Sequence, residues 1–159
     1  VKGAFLKKIM IKLTEVAEIM ISYKPTIATN PVIKCSHDAY QELKDFFPEE
    51  LISLQEMFVV MYMNNANRII GVYRMSVGGI VGTVADPRII LGTALKVAAT
   101  SMIIAHNHPS GNMKPSVADE RLTAKIKEGA KFMDINLADH IILSPKDEAY
   151  YSFADEGLI

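Results

Sequence analysis

The stretch EMFVVMYM, residues 56–63, restricts what this chain can fold into more than any other. A strand with one wet face alternates apolar and polar side chains. This run is apolar at nearly every position, as a strand covered on both faces is. Covering both faces takes helices, and the sequence supplies them. SHDAYQELKDFFPEE opens on Ser36 as an N-cap and sets Ala39, Tyr40, Leu43, Phe46 and Phe47 on one helical face, with Pro48 at or just past its end. DPRIILGTALKVAAT starts a helix with Asp86 as N-cap and Pro87 at the first helical position. SVADERLTAKIKEGAKFM starts another at Ser116 and ends loosely between Gly129 and Met133. Strands lie between them. NNAN turns the first run back into RIIGVYRMSVGG as a hairpin, SMIIAHNH and INLADHIIL follow, and SPKDEAYYSFADEGLI is a turn with a short terminal element. The expected fold class is α/β, a mixed central β-sheet with flanking helices.

At 159 residues, half of them apolar, the chain is expected to form one compact domain with an attached arm. Residues 1–31 are the arm. KIMIKLTEVAEIMISYK alternates like a strand, and KPTIATNP connects it through Pro25 and Pro31 to a domain over residues 32–159. An extended arm can pair with a second copy, so a homodimer is open. Met10 offers an alternative start. The 17 basic and 18 acidic residues nearly cancel and form no basic stripe, which argues against strong non-specific DNA binding and leaves an indirect association open. Cys35, the single cysteine, permits no internal disulfide and no zinc site with two thiolates; it reads as a small core residue in a reducing cytoplasm. No apolar run approaches the roughly 20 residues of a membrane span, and VKGAFLKKIMIKL is not expected to act as a signal peptide. The expected location is cytoplasmic.

AHNHPSGNMKPSVAD, Ala105 to Asp119, carries two of the four histidines. Residues two apart in a strand share a face, so His106 and His108 can meet one metal ion while Asn107 points elsewhere. A further ligand has to be oxygen, and Asp119, in the first turn of the next helix, is the candidate. Two histidines and one carboxylate leave a coordination position open, as catalytic zinc sites do. A plainer account also fits: Ser116 and Asp119 form a capping box with Asp in place of Glu, and the histidines are turn residues. Spacing alone leaves both standing.

The pattern H-x-H-P-S-G, then P-S and an aspartate, with ten residues between His108 and Asp119, resembles the metal signature of the JAMM (MPN-plus) metalloproteases. More narrowly, AHNHPSG, KPSVAD, RLT, DHIIL and YYSFADEG resemble the RadC family, in its short forms associated with mobile elements, from Val32 to Ile159. The resemblance implies a JAB/MPN fold of cytidine-deaminase-like architecture. It implies His106, His108 and Asp119 as zinc ligands, Ser116 as a donor to the oxyanion of a tetrahedral intermediate, and Glu56 as general base and acid through the metal-bound water. Zinc lowers the pKa of such a water to about 7, and a carboxylate beside it can take the proton and pass it to a leaving amine. The implied function is a zinc-dependent hydrolase of a peptide or isopeptide bond, in a family associated with DNA repair. The alternative is a non-catalytic DNA-repair or mobile-element accessory module with a structural or vestigial metal. Full-length members carry a helix-hairpin-helix module ahead of this domain; none is read here, a departure from the family pattern that, with the balanced charge, counts against direct DNA binding and leaves it open.

Glu49 and Glu50 compete with Glu56, but only Glu56 abuts the apolar run, at a sheet end where open α/β sites sit. Asp139-His140 lies in the last strand; a satisfied structural histidine is the preferred reading, and support of a ligand imidazole the alternative. His37 reads as an exposed helix residue. Ser76, Gly78 and Gly79 read as a bend near the site, since the Gly-Lys-Ser/Thr of a phosphate loop is missing. The nine methionines read as core filler. Two rival zinc chemistries lack their letters: there is no H-E-x-x-H, and one cysteine cannot make P-C-x-x-C.

Overall fold

The computed structural model describes residues 30–78, 85–146 and 149–159. The expected arm falls almost wholly outside them, as does Gly79. In chain order the elements are α1 (Ser36–Lys44), α2 (Glu49–Ile52), β1 (Met57–Met63), β2 (Ile69–Val77), α3 (Pro87–Lys96), β3 (Ser101–Asn107), α4 (Val117–Lys131), β4 (Asn136–Leu143) and β5 (Tyr150–Ser152). The strands form one mixed sheet ordered β2-β1-β3-β4-β5. Only β3 and β4 are parallel, joined by the crossover through α4; the other neighbours are antiparallel.

Why β1 is apolar throughout is visible in its packing. All seven of its residues are buried. Met57, Val59, Met61 and Met63 enter a core with Leu43 and Phe47, on the face of α1 and α2, while Phe58, Val60 and Tyr62 enter a second core with Ile90 and Ile126 of α3 and α4. Successive side chains thus fill opposite layers, as the pleat requires. The edge strand β2 is only partly buried. At α3, Asp86 accepts from the Arg88 amide with Pro87 inside the first turn, as its sequence predicts. Met57, Met61, Met63 and Met102 are buried, whereas Met133 is exposed.

The start of α1 departs from expectation. Cys35, not Ser36, occupies the N-cap and makes no capping bond with its side chain. The Ser36 hydroxyl instead donates to Asp155 Oδ2 (2.6 Å), because a carboxylate from the C-terminal segment is a stronger acceptor partner than a backbone amide is a donor. Asp38 takes over the helix start by accepting from the Lys34 amide (2.9 Å). Cys35 is consequently exposed rather than a core residue. The short α2, with Pro48 as its N-cap, was not expected from the letters either. His37 is exposed, as read. No helix among the described residues is long and apolar enough to cross a membrane.

Candidate metal centre

Because β1 runs antiparallel to β3, the start of β1 lies at the carboxyl ends of β3 and β4, and the sequence-predicted residues gather at that end. His106 sits one residue from the end of β3, between Phe58 of β1 and Ile142 of β4, with 1% of its surface exposed. His108 lies one step beyond the strand, but its amide still donates to Leu143 O (3.0 Å), so the extended path continues. The two imidazoles therefore project together, and their Nε2 atoms are 3.0 Å apart. Beyond them the chain turns sharply. Gly111 takes φ +74°, a conformation that suits glycine, and its amide donates to His108 O (2.9 Å). The turn presents the Asn112 carbonyl to His108 Nδ1 at 2.5 Å.

Asp119 answers both accounts of its spacing. It is the third residue of α4, in a complete capping box: Ser116 Oγ accepts from its amide, and its Oδ2 accepts from the Ser116 amide (2.7 Å) and hydroxyl (2.6 Å). The same carboxylate brings Oδ1 to 3.3 Å from His106 Nε2 and Oδ2 to 3.6 Å from His108 Nε2. The cap aims the carboxylate toward both imidazoles. His106, His108 and Asp119 form a group that can hold a metal ion.

Hydrogen-bond bookkeeping shows which nitrogen lone pairs face that point. The Thr123 hydroxyl donates to Asp119 O (2.6 Å), so toward His140 Nδ1 (2.6 Å) it accepts. His140 then carries its proton on Nδ1, and its bare Nε2 accepts from His106 Nδ1 (2.8 Å). His106 is left with a lone pair on Nε2. His108, donating from Nδ1 to a carbonyl, is left the same. Two imidazole nitrogens 3.0 Å apart thus converge with a carboxylate whose Oδ1 is 3.3 Å from His106 Nε2 and whose Oδ2 is 3.6 Å from His108 Nε2, one ligand atom from each residue lying within 4.8 Å of the others. Tetrahedral coordination at 2.0–2.1 Å makes edges of about 3.3 Å. The residues fit a divalent ion.

The electrostatics agree at His106 and Asp119, while at His108 the contact with Asp119 favours a proton on Nε2 that a metal ion would displace. Burial pushes His106 down to about 4 and holds His140 well below its ordinary value, so both are neutral near pH 7. His108 is raised, chiefly by its contact with Asp119. Burial pushes the Asp119 carboxyl up, but His108, His106 and Ser116 outweigh it and hold the group well below the usual range. The site keeps its acid ionised and calls for positive charge.

His140 is fully buried with both ring nitrogens engaged, as the structural reading expects, and one of its partners is His106, a member of the candidate metal cluster. The reason is register: β4 lies parallel to β3 with His140 beside Ile104, on the face that carries His106. Phe153 stacks on the His140 ring at 4.6 Å. A ligand imidazole oriented in this way loses affinity when its partner is removed, so His140→Ala is expected to weaken zinc binding about 10- to 100-fold in a competition titration. Asp139 points to the other face, where it accepts from Ser152 Oγ (2.6 Å) and the Ala154 amide (3.0 Å).

Glu56 is half-buried and immediately precedes β1, with its carbonyl held by the Gly78 amide (2.8 Å). Phe58 pairs with His106, the last pair of that register, and Glu56 lies two residues before Phe58 in the chain. Its charge contributes to raising His108. Glu49 and Glu50 are exposed in α2. Ser116 is exposed at the mouth of the site, and Ser76 pairs with Phe58 within β2.

A family model for the RadC-like JAB domain matches residues 33–158. The chain belongs to the RadC family. Its domain is 43% identical over 103 residues to a UPF0758 protein of Flavobacterium johnsoniae, covering 65% of this chain and 44% of that protein. It is 39% identical over 124 residues to a UPF0758 protein of Porphyromonas gingivalis, covering 78% and 53%. Against a UPF0758 protein of Streptococcus pyogenes it is 46% identical over 105 residues, covering 66% and 46%. The chain spans about half the length of these curated relatives. Within this RadC-like domain, the fold and the three-residue cluster both accord with a JAB/MPN domain carrying a JAMM motif.

Proposed function

We propose that this RadC-like domain is a zinc-dependent hydrolase of JAMM type that cleaves a peptide or isopeptide bond. The observation that carries the reading is the convergence of His106 Nε2, His108 Nε2 and the Asp119 carboxylate within 4.8 Å of one another, with the Glu56 charge acting on His108. Two nitrogens and one oxygen suit zinc among the common divalent ions. When bound, the ion supplies a Lewis acid that brings the pKa of a coordinated water to about 7.

The chain's own residues do the rest. Glu56 accepts the proton of the attacking water and returns it to the departing amine. His106, buried and neutral, holds its place through His140 and Thr123. The His108 and Asp119 side chains are 16% and 13% exposed, so substrate approaches from their side. Ser116 borders that opening, and its hydroxyl, resting on Asp119 Oδ2, swings to donate to the oxyanion while still accepting from the Asp119 amide.

Zinc-loaded protein screened against peptide and isopeptide-linked substrates is expected to cleave at least one of them. The cleavage is lost on chelation and returns with added zinc. Cleavage that survives chelation would remove the metal from the mechanism.

A further inference from the structure

Asn107 lies between the two histidines, and the pleat turns its side chain to the opposite face of the sheet. There it is fully buried, yet every polar atom of its amide is engaged. Oδ1 accepts from the Met57 amide (2.7 Å), while Nδ2 donates to Ile52 O (2.7 Å) and Gln55 O (2.8 Å). Gln55 and Met57 are the residues on either side of Glu56. One side chain, rooted in the strand that carries His106, therefore grips the backbone on both flanks of Glu56, whose charge reaches His108. On the β2 side the Gly78 amide holds the Glu56 carbonyl.

We infer that Asn107 is a positioning residue that sets Glu56 against the His106–His108–Asp119 cluster. The inference rests on the reading of Glu56 as the carboxylate that works beside the metal. The chemistry of the grip is particular to asparagine. The β1–β3 pairing stops at Phe58 and His106, and the link arriving from α2 needs one acceptor and two donors from a short side chain in β3. An aspartate would set charge against two carbonyl oxygens, a serine has one proton to give, and a glutamine is longer by one methylene. Asn107 thereby joins the two halves of the site, which enter from parts of the sequence about 50 residues apart.

A purely structural amide and a positioning one differ in what happens at the metal. The test uses the full chain loaded with cobalt(II), whose visible spectrum is followed against pH for the parent, Glu56→Gln, Asn107→Ala and the double variant. Glu56→Gln is expected to move the pH midpoint of the spectrum. Asn107→Ala is expected to move it in the same direction by more than half as much, with cobalt still bound, and to add nothing in the Glu56→Gln background. Asn107→Ser carries the same comparison if the alanine variant does not fold. An Asn107 variant that keeps the parent midpoint, adds fully to Glu56→Gln, or loses cobalt overturns the inference. A parent that takes up no cobalt, or a Glu56→Gln variant with the parent midpoint, instead overturns the reading on which it rests.

Discussion

Replacing Glu56 with glutamine is expected to leave the metal in place and lower hydrolysis by about 100- to 10,000-fold. Glutamine matches glutamate in size but cannot take a proton at neutral pH. Glu56 is not part of the His106–His108–Asp119 cluster, so the ion has no reason to leave. Its carbonyl bond to Gly78 and the grip of Asn107 on its neighbours involve backbone atoms, which the substitution does not touch. Metal content, a thermal melt and initial rates on any cleaved peptide check the three parts of the expectation together. Glu49→Gln and Glu50→Gln, on the exposed turn of α2, serve as controls with parent-like rates. A Glu56→Gln variant as active as the parent would take Glu56 out of the mechanism. For the rival account, an accessory module that only binds, partner or DNA binding would be indifferent to this change.

The second large effect is at Asp119, where two substitutions separate the cap from the ligand. Asp119→Asn keeps an oxygen for the Ser116 amide and hydroxyl, and its new N–H can donate to the His106 lone pair. Stability is expected to stay close to the parent's while zinc affinity falls by more than about 100-fold, beyond what loss of a supporting partner produces. Asp119→Ala removes both roles, so it loses the metal and also roughly 0.5–2 kcal/mol of the helix start. Urea unfolding with and without zinc, beside a zinc competition titration, distinguishes the pair. Full zinc affinity in Asp119→Asn would mean that Asp119 is a cap and nothing more.

How much of this the letters carried depends on whether a feature lies within one element or between two. EMFVVMYM announces a doubly covered strand because the pleat sends neighbours to opposite faces wherever that strand is placed. His106 and His108 share a face by the same local rule. Ser116 and Asp119 are three apart in a helix start, which both accounts of them needed. The support is different. His140 reaches His106 only because β4 lies parallel to β3 in one register, and Thr123 joins them because α4 crosses over that pair. No spacing within one segment encodes those relations. Asn107 was readable as pointing away from the metal, but its partners Ile52, Gln55 and Met57 come from a distant link. Ser36 failed as an N-cap for a related reason, since Asp155, more than a hundred residues later, takes its hydroxyl.

The central claim is that residues 106–119 hold a metal ion, and elemental mass spectrometry of the purified protein beside His108→Ala tests it most directly. The proposed function predicts about one zinc per chain in the parent and none in the variant, with both folded. A parent that carries no metal, and takes up none when zinc is added, would contradict the account and leave two histidines and a capped helix in its place.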